Sequence, residues 1–128
     1  MKIAVLIARI LLGLVFLVFG LNIYFHFIPA QEIPGDAGAL AGLFFRHGWF
    51  LFIGILYVVG GLLLVVGRFV PVGLVLLGPI IVNILLFHAT LNPSGIGPGL
   101  VCAVLEIFLI YAYRSAFRGI FVHRAEIG

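Results

Sequence analysis

The stretch WFLFIGILYVVGGLLLVVG, Trp49–Gly67, holds no charged side chain and nothing more polar than Tyr57 over a length that matches a membrane. At roughly 1.5 Å per helical residue, about 20 residues cross the roughly 30 Å hydrocarbon core of a bilayer. No water is available at that depth for backbone N–H and C=O groups, so such a stretch has to be helical. Working outward, the same pattern recurs in stretches of about residues 3–28, 69–91 and 99–117. The reading is an all-α integral membrane protein: residues 1–128 as a single domain, a bundle of four transmembrane helices.

Composition fits that class. The chain is 65% hydrophobic and 9% charged, with a mean hydropathy of +1.39, whereas soluble domains carry about a quarter charged residues. The seven Lys and Arg are scattered singly, without the basic patch interleaved with aromatics that nucleic acid requires, so no nucleic-acid partner is expected. Their positions set orientation instead. Lys2, Arg9, Arg68, Arg114, Arg118 and Arg124 fall on one side of the alternating spans and Arg46 alone on the other. The positive-inside rule then predicts a multi-pass protein with both termini cytoplasmic. The first span is expected to remain in place rather than be cleaved: it is long for a signal peptide, Arg9 interrupts it early, and Ile28-Pro29-Ala30 is a poor cleavage pattern.

Between the first two spans lies the only long loop. Pro29 and Pro34 end the first helix, and Asp36 is expected to cap a short helix reaching about His47, with Leu40, Leu43 and Phe44 on one face. This segment reads as an interfacial amphipathic helix with Trp49 in the aromatic belt. Gly13, Gly20, Gly54, Gly60, Gly61, Gly73 and Gly78 fall inside the spans, where small residues let helix backbones approach closely. Pro71 suits the start of the third span, Pro79 leaves the carbonyl of Val75 without its helical donor, and Asn92–Gly95 reads as a turn.

Chemistry has few carriers here. Cys102 is alone, so a disulfide relay has no second thiol, and no metal-ligand spacing or phosphate-cradling glycine motif is present; no metal site is expected. Polar groups inside spans are costly in lipid and usually face the bundle interior. They are Arg9, Asn22, His26, Asn83, His88 and Glu106. Arg9 and Glu106 differ in depth by about one helical turn and are candidates for a structural ion pair. The alternative is a Glu106 held neutral by its surroundings and available for proton transfer or ligand binding. Asn22, His26, His47 and His88 approach one level near the outer end, which suggests a ligand pocket there, one able to hydrogen-bond a quinone or, less readily, to bracket a haem. Interhelical hydrogen bonding alone explains the same residues.

Arg9-Ile-Leu-Leu-Gly-Leu-Val-Phe with Phe19-Gly-Leu-Asn22, Gly61-Leu-Leu-Leu-Val-Val-Gly-Arg68-Phe-Val-Pro71, Val82-Asn83-Ile-Leu-Leu-Phe-His88 with Leu91-Asn-Pro-Ser-Gly95, and Leu105-Glu106-Ile-Phe-Leu with Tyr111-Ala-Tyr-Arg114 together resemble the bacterial DoxX-like membrane proteins, in order and over nearly the whole chain. The resemblance implies a four-helix fold in the bacterial inner membrane. The family takes its name from a subunit of a thiosulfate:quinone oxidoreductase, and other members are associated with redox complexes. Family sequences often carry an acid where this chain has Tyr57, whereas Arg9, Asn83, His88 and Glu106 match the pattern. Three functions stay open: a non-catalytic or accessory membrane subunit of a redox or envelope-stress system, partnered by a redox protein or by further copies of itself and without turnover alone; a quinone-reactive oxidoreductase subunit; and a small carrier or binding protein for a lipid-like molecule.

Overall fold

The computed structural model describes residues 1–29 and 32–128 and contains five α-helices: α1 (Lys2–Phe25), α2 (Gly35–Arg46), α3 (Trp49–Val66), α4 (Val70–Leu91) and α5 (Gly97–Ala112). Two 3-10 segments, Pro93–Gly95 and Arg114–Phe121, follow α4 and α5. No strand occurs among the described residues.

The boundaries have local causes. His26 takes a left-handed conformation and stops α1, with the Ile28 N–H donating to Asn22 Oδ1 at 2.7 Å. The first helix therefore ends three residues short of the expected Ile28. Gly67, at φ 80°, ends α3, and its N–H donates to the Leu63 carbonyl at 2.9 Å. This left-handed closure suits glycine, which has no Cβ to clash. Pro71 then enters α4 within its first turn, where a missing N–H costs nothing. The helix continues through Pro79 to Leu91. Asp36 does not cap α2 as expected: Pro34 holds the N-cap position, no side chain bonds there, and Asp36 sits in the first turn, where its charge complements the helix dipole.

α1, α3 and α4 are each long and apolar enough to cross a membrane. The last helix differs from expectation. Instead of running to Phe117, α5 stops at Ala112 and the chain bends by 81° into Arg114–Phe121, so a fourth crossing exists only if that bent pair counts as one span. Arg114, Ser115 and Arg118 fall beyond the bend, which keeps their polar groups off the axis of α5.

The four long helices close a ring: α1 packs on α3, α3 on α4, α4 on α5, and α5 back on α1, with α1–α3 the most extensive seam. α2 lies against α3 and α4, its Phe44 stacked on Trp49 at 4.8 Å. Leu12 and Phe16 of α1, Leu64 of α3, Leu74 and Leu77 of α4 and Leu109 of α5 fill the centre. The rest of the apolar surface is turned outward; Phe52, Val104 and Ile107 are each about two-thirds exposed, at 65%, 66% and 67%. An outer surface this apolar needs lipid as its solvent.

The α1–α3 seam rests on backbone. A Cβ at Gly61 would come within 2.6 Å of the Leu17 nitrogen and 2.7 Å of the Gly13 carbonyl oxygen, and one at Gly13 within 2.8 Å of the Gly61 oxygen. One turn and more along, Gly20 lies under Tyr57 and Val58, and Gly54 under the ring of Tyr24. Tyr24 seals that end by donating its hydroxyl to the Leu51 carbonyl. Gly60 and Gly73 do the same for α3 against α4. The glycines expected to be packing devices are used as such.

Candidate functional site

On α5, Gly99, Cys102, Glu106 and Leu109 form the buried stripe, at the spacing of one helix face. That spacing carries Glu106 into the core, where it is 4% exposed. Both carboxyl oxygens are buried without a hydrogen-bond partner among the described residues. Across the seam, α4 supplies Gly78 opposite the carboxyl; a Cβ there would sit 3.3 Å from Oε2. An unpartnered polar group in such a place costs about 1–3 kcal/mol, more if charged. What the arrangement offers chemically is a carboxyl with all its hydrogen-bonding capacity unspent, fit to take up a proton or to meet a ligand carbonyl.

The expected Arg9–Glu106 pair is not formed. Arg9 sends its guanidinium toward the end of α3 instead, and a Cβ on Gly67 would collide with it. Two physical reasons favour that path. The long side chain escapes toward the nearer membrane surface, and the end of α3 presents unpaired carbonyls and the negative pole of the helix dipole. The Arg9 Nε is nevertheless buried and without a partner among the described residues.

Of the four residues expected to share an outer pocket, three have side chains engaged elsewhere. Asn22 caps the end of α1 through its bond from Ile28. His26 is exposed and packs edge-on against Phe45, with ring centroids 6.3 Å apart. His47 is exposed and caps α2 through its backbone N–H. His88 pairs its Nδ1 with the Ile84 carbonyl at 2.8 Å, one turn back on its own helix, and lies over Gly95, where a Cβ would meet the ring. Since a carbonyl only accepts, Nδ1 is the donor in this bond. No side chain of this set hydrogen-bonds to another among the described residues. There is likewise no group of three or more His, Cys, Asp or Glu placed to hold a metal among them.

Asn83 departs from the expectation that a polar residue in a span faces inward. It is exposed, on the outward stripe of α4 made by Val72, Val75, Pro79, Val82 and Leu86. Its amide has no hydrogen bond among the described residues, unlike Thr90 on the same helix, whose hydroxyl donates to the Leu86 carbonyl at 2.7 Å. Asn83 lies about 12 Å from the Leu91 end of the helix at 1.5 Å per residue, well inside hydrocarbon if α4 spans. One turn back, Pro79 leaves the Val75 carbonyl free on the same stripe.

A fourth feature has no counterpart in the sequence reading. A cleft of about 630 Å³ opens between the start of α1 and the end of α5, lined by Lys2, Val5, Leu6, Arg9, Tyr111 and Arg114 among others. In sequence Lys2 and Arg114 served to orient the chain and Arg9 was also a candidate partner of Glu106; none was read as lining a cleft. The signal available was that topology returns α5 to the end where α1 begins.

No protein-family model, curated protein or solved structure matches this chain.

Proposed function

We propose that this chain is a DoxX-like protein crossing the bacterial inner membrane four times, with both termini in the cytoplasm and α2 along the outer interface. It serves as a non-catalytic accessory subunit of a redox or envelope-stress system. The observation that carries this reading is Asn83: an amide with two donors and an acceptor, without a hydrogen bond among the described residues, on an apolar face at hydrocarbon depth if α4 spans. Such a group is satisfied by another helix in the membrane. Bonds of this kind are worth about 0.6 kcal/mol on average and up to about 1.7 in membrane proteins. Asn83→Leu is therefore expected to weaken association with the partner helix by roughly 3–15-fold while leaving the fold intact. Gentle extraction in native lipid, followed by sizing of the particle, checks this. Wild-type protein is expected in an assembly larger than the monomer, shifted toward monomer by the variant. A monomer in both cases, or quinone turnover by the isolated chain, would discard the accessory reading.

Glu106 favours a second reading, a quinone-reactive subunit, because an unspent carboxyl in the core is the group such chemistry needs. Quinone co-purifying near one per chain with the wild type and lost in Glu106→Gln is the expected result on this reading. Equal quinone content in the two proteins, or none in either, removes it.

A further inference from the structure

We propose that the cleft between α1 and α5 is a binding site for a phosphate group carried on an apolar body, the chemistry of an anionic phospholipid headgroup. This inference rests on the membrane reading but not on the accessory role.

Its charge is one-sided. Lys2, Arg9 and Arg114 line the cleft and no acid does. The four acids of the chain lie elsewhere: Glu32 and Asp36 in and after the long loop, Glu106 in the core and Glu126 in the tail. The cations are also partly prepared for a ligand. Arg114 is steadied by its Nη1–H donating to the Tyr111 carbonyl at 2.9 Å, with the guanidinium 4.3 Å from the centre of the Tyr111 ring. Those contacts leave N–H groups of the fork unused. Arg9 also lines the cleft, and its Nε is buried without a hydrogen-bond partner among the described residues. A guanidinium fork matches phosphate oxygens in geometry as well as charge.

The walls argue for a ligand with an apolar part. Val5 and Leu6 form the α1 side. Beside the cleft, Ile3, Ile7 and Ile107 are exposed at 74%, 60% and 67% and continue an apolar surface along both helices. The volume, about 630 Å³, falls within the roughly 300–1,000 Å³ usual for small-molecule sites. The level is also right: the cleft sits where α1 begins and α5 ends, at the boundary between hydrocarbon and headgroups. Basic clefts at that boundary suit anionic headgroups.

The test uses the full chain in a mild zwitterionic detergent. Phosphatidylglycerol, phosphatidylcholine and inorganic phosphate are added separately, and bound species are counted by native mass spectrometry beside thermal unfolding. Phosphatidylglycerol is expected to bind and to raise Tm, and phosphatidylcholine to do neither. The double variant Lys2→Gln, Arg114→Gln is expected to weaken phosphatidylglycerol binding by roughly thirtyfold, from about 1 kcal/mol per cation. Arg114→Lys keeps the charge but loses the fork, and should bind more weakly than wild type and more tightly than Arg114→Gln. Arg68→Gln removes a cation at the same end of the bundle but outside the cleft, and should change nothing. Inorganic phosphate alone reproducing the Tm shift, with the same sensitivity to the double variant, would keep the phosphate site and make its ligand a soluble phosphate ester. Equal binding of the two lipids, or equal losses in the Arg68 and cleft variants, would overturn the site. Whether the protein partitions into membranes at all is read separately, by fractionation, so failure of the membrane reading is not mistaken for failure of the cleft.

Discussion

Gly61→Ala is expected to lower the stability of the folded protein by about 3 kcal/mol, the upper end of the cost of inserting one carbon into a packed interior. The added Cβ meets the Leu17 nitrogen and the Gly13 oxygen at 2.6 and 2.7 Å, and neither is the tip of a flexible side chain. Relief requires α1 and α3 to move apart, which opens the longest seam of the ring. In membranes the attraction between helices comes from close packing and not from expulsion of water, so separation is not compensated elsewhere. Gly42→Ala is the control. It lies on α2 with nothing within 4 Å of the added carbon, and helix propensity alone predicts a gain of about 0.5–1 kcal/mol. Unfolding by SDS titrated into mixed micelles, followed by circular dichroism, compares the two. Similar behaviour of both variants would mean that the seam is looser than its backbone contacts indicate.

Glu106→Leu is expected to act in the opposite direction and stabilise the protein by about 1–3 kcal/mol. The carboxyl is buried with neither oxygen bonded among the described residues, so the substitution removes a desolvation cost and places an aliphatic group on the buried stripe of α5 beside Cys102 and Leu109. The sign is the informative part. A protein purified with a ligand bound to Glu106 loses stability on this change, since the substitution then deletes a satisfied bond and leaves the ligand's group unpaired. Measuring the same unfolding curve therefore separates an idle carboxyl from one in use. A gain in stability accompanied by loss of cellular function would mark Glu106 as a residue retained for its chemistry at the expense of the fold.

What could be read from the sequence follows from which signals are local. Span positions are set by runs of apolar residues and by Gly and Pro at their ends, and Trp49–Gly67 and the 69–91 stretch agree with α3 and α4 to within a residue. Packing glycines were legible because small residues in lipid have few other uses. Facing was not. In water the buried side of a helix is apolar and the other side is polar, but in lipid Leu11 is 48% exposed while its neighbour Leu12 is fully buried, and nothing in their chemistry separates them. For the same reason Asn83, assigned inward by the general cost of polar groups in lipid, stands on the outside. The expected outer set of polar residues is a different matter. Depth along helices brings Asn22, His26, His47 and His88 to a similar level, but Asn22 and His88 bond within their own helix or the adjoining turn and His26 packs on Phe45 of α2. The bend after Ala112 was also missed: Arg114 and Ser115 interrupt the apolar run there, but Ala116 and Phe117 beyond them read as its continuation.

The glycine seam also has a calendar. The surface on α1 that fits α3 is finished when α1 is made, but Gly61 follows Gly13 only after synthesis lasting on the order of 2–10 s, at about 5–20 residues per second. Through that interval α1 sits in lipid with its bare backbone grooves at Gly13 and Gly20 uncovered. During rapid synthesis, when nascent chains crowd one another, those grooves are open to the α3 of a neighbouring copy as readily as to their own. Overproduction is thus the circumstance in which exchange of helices between molecules is expected, and slowing translation between α1 and α3 is expected to increase it.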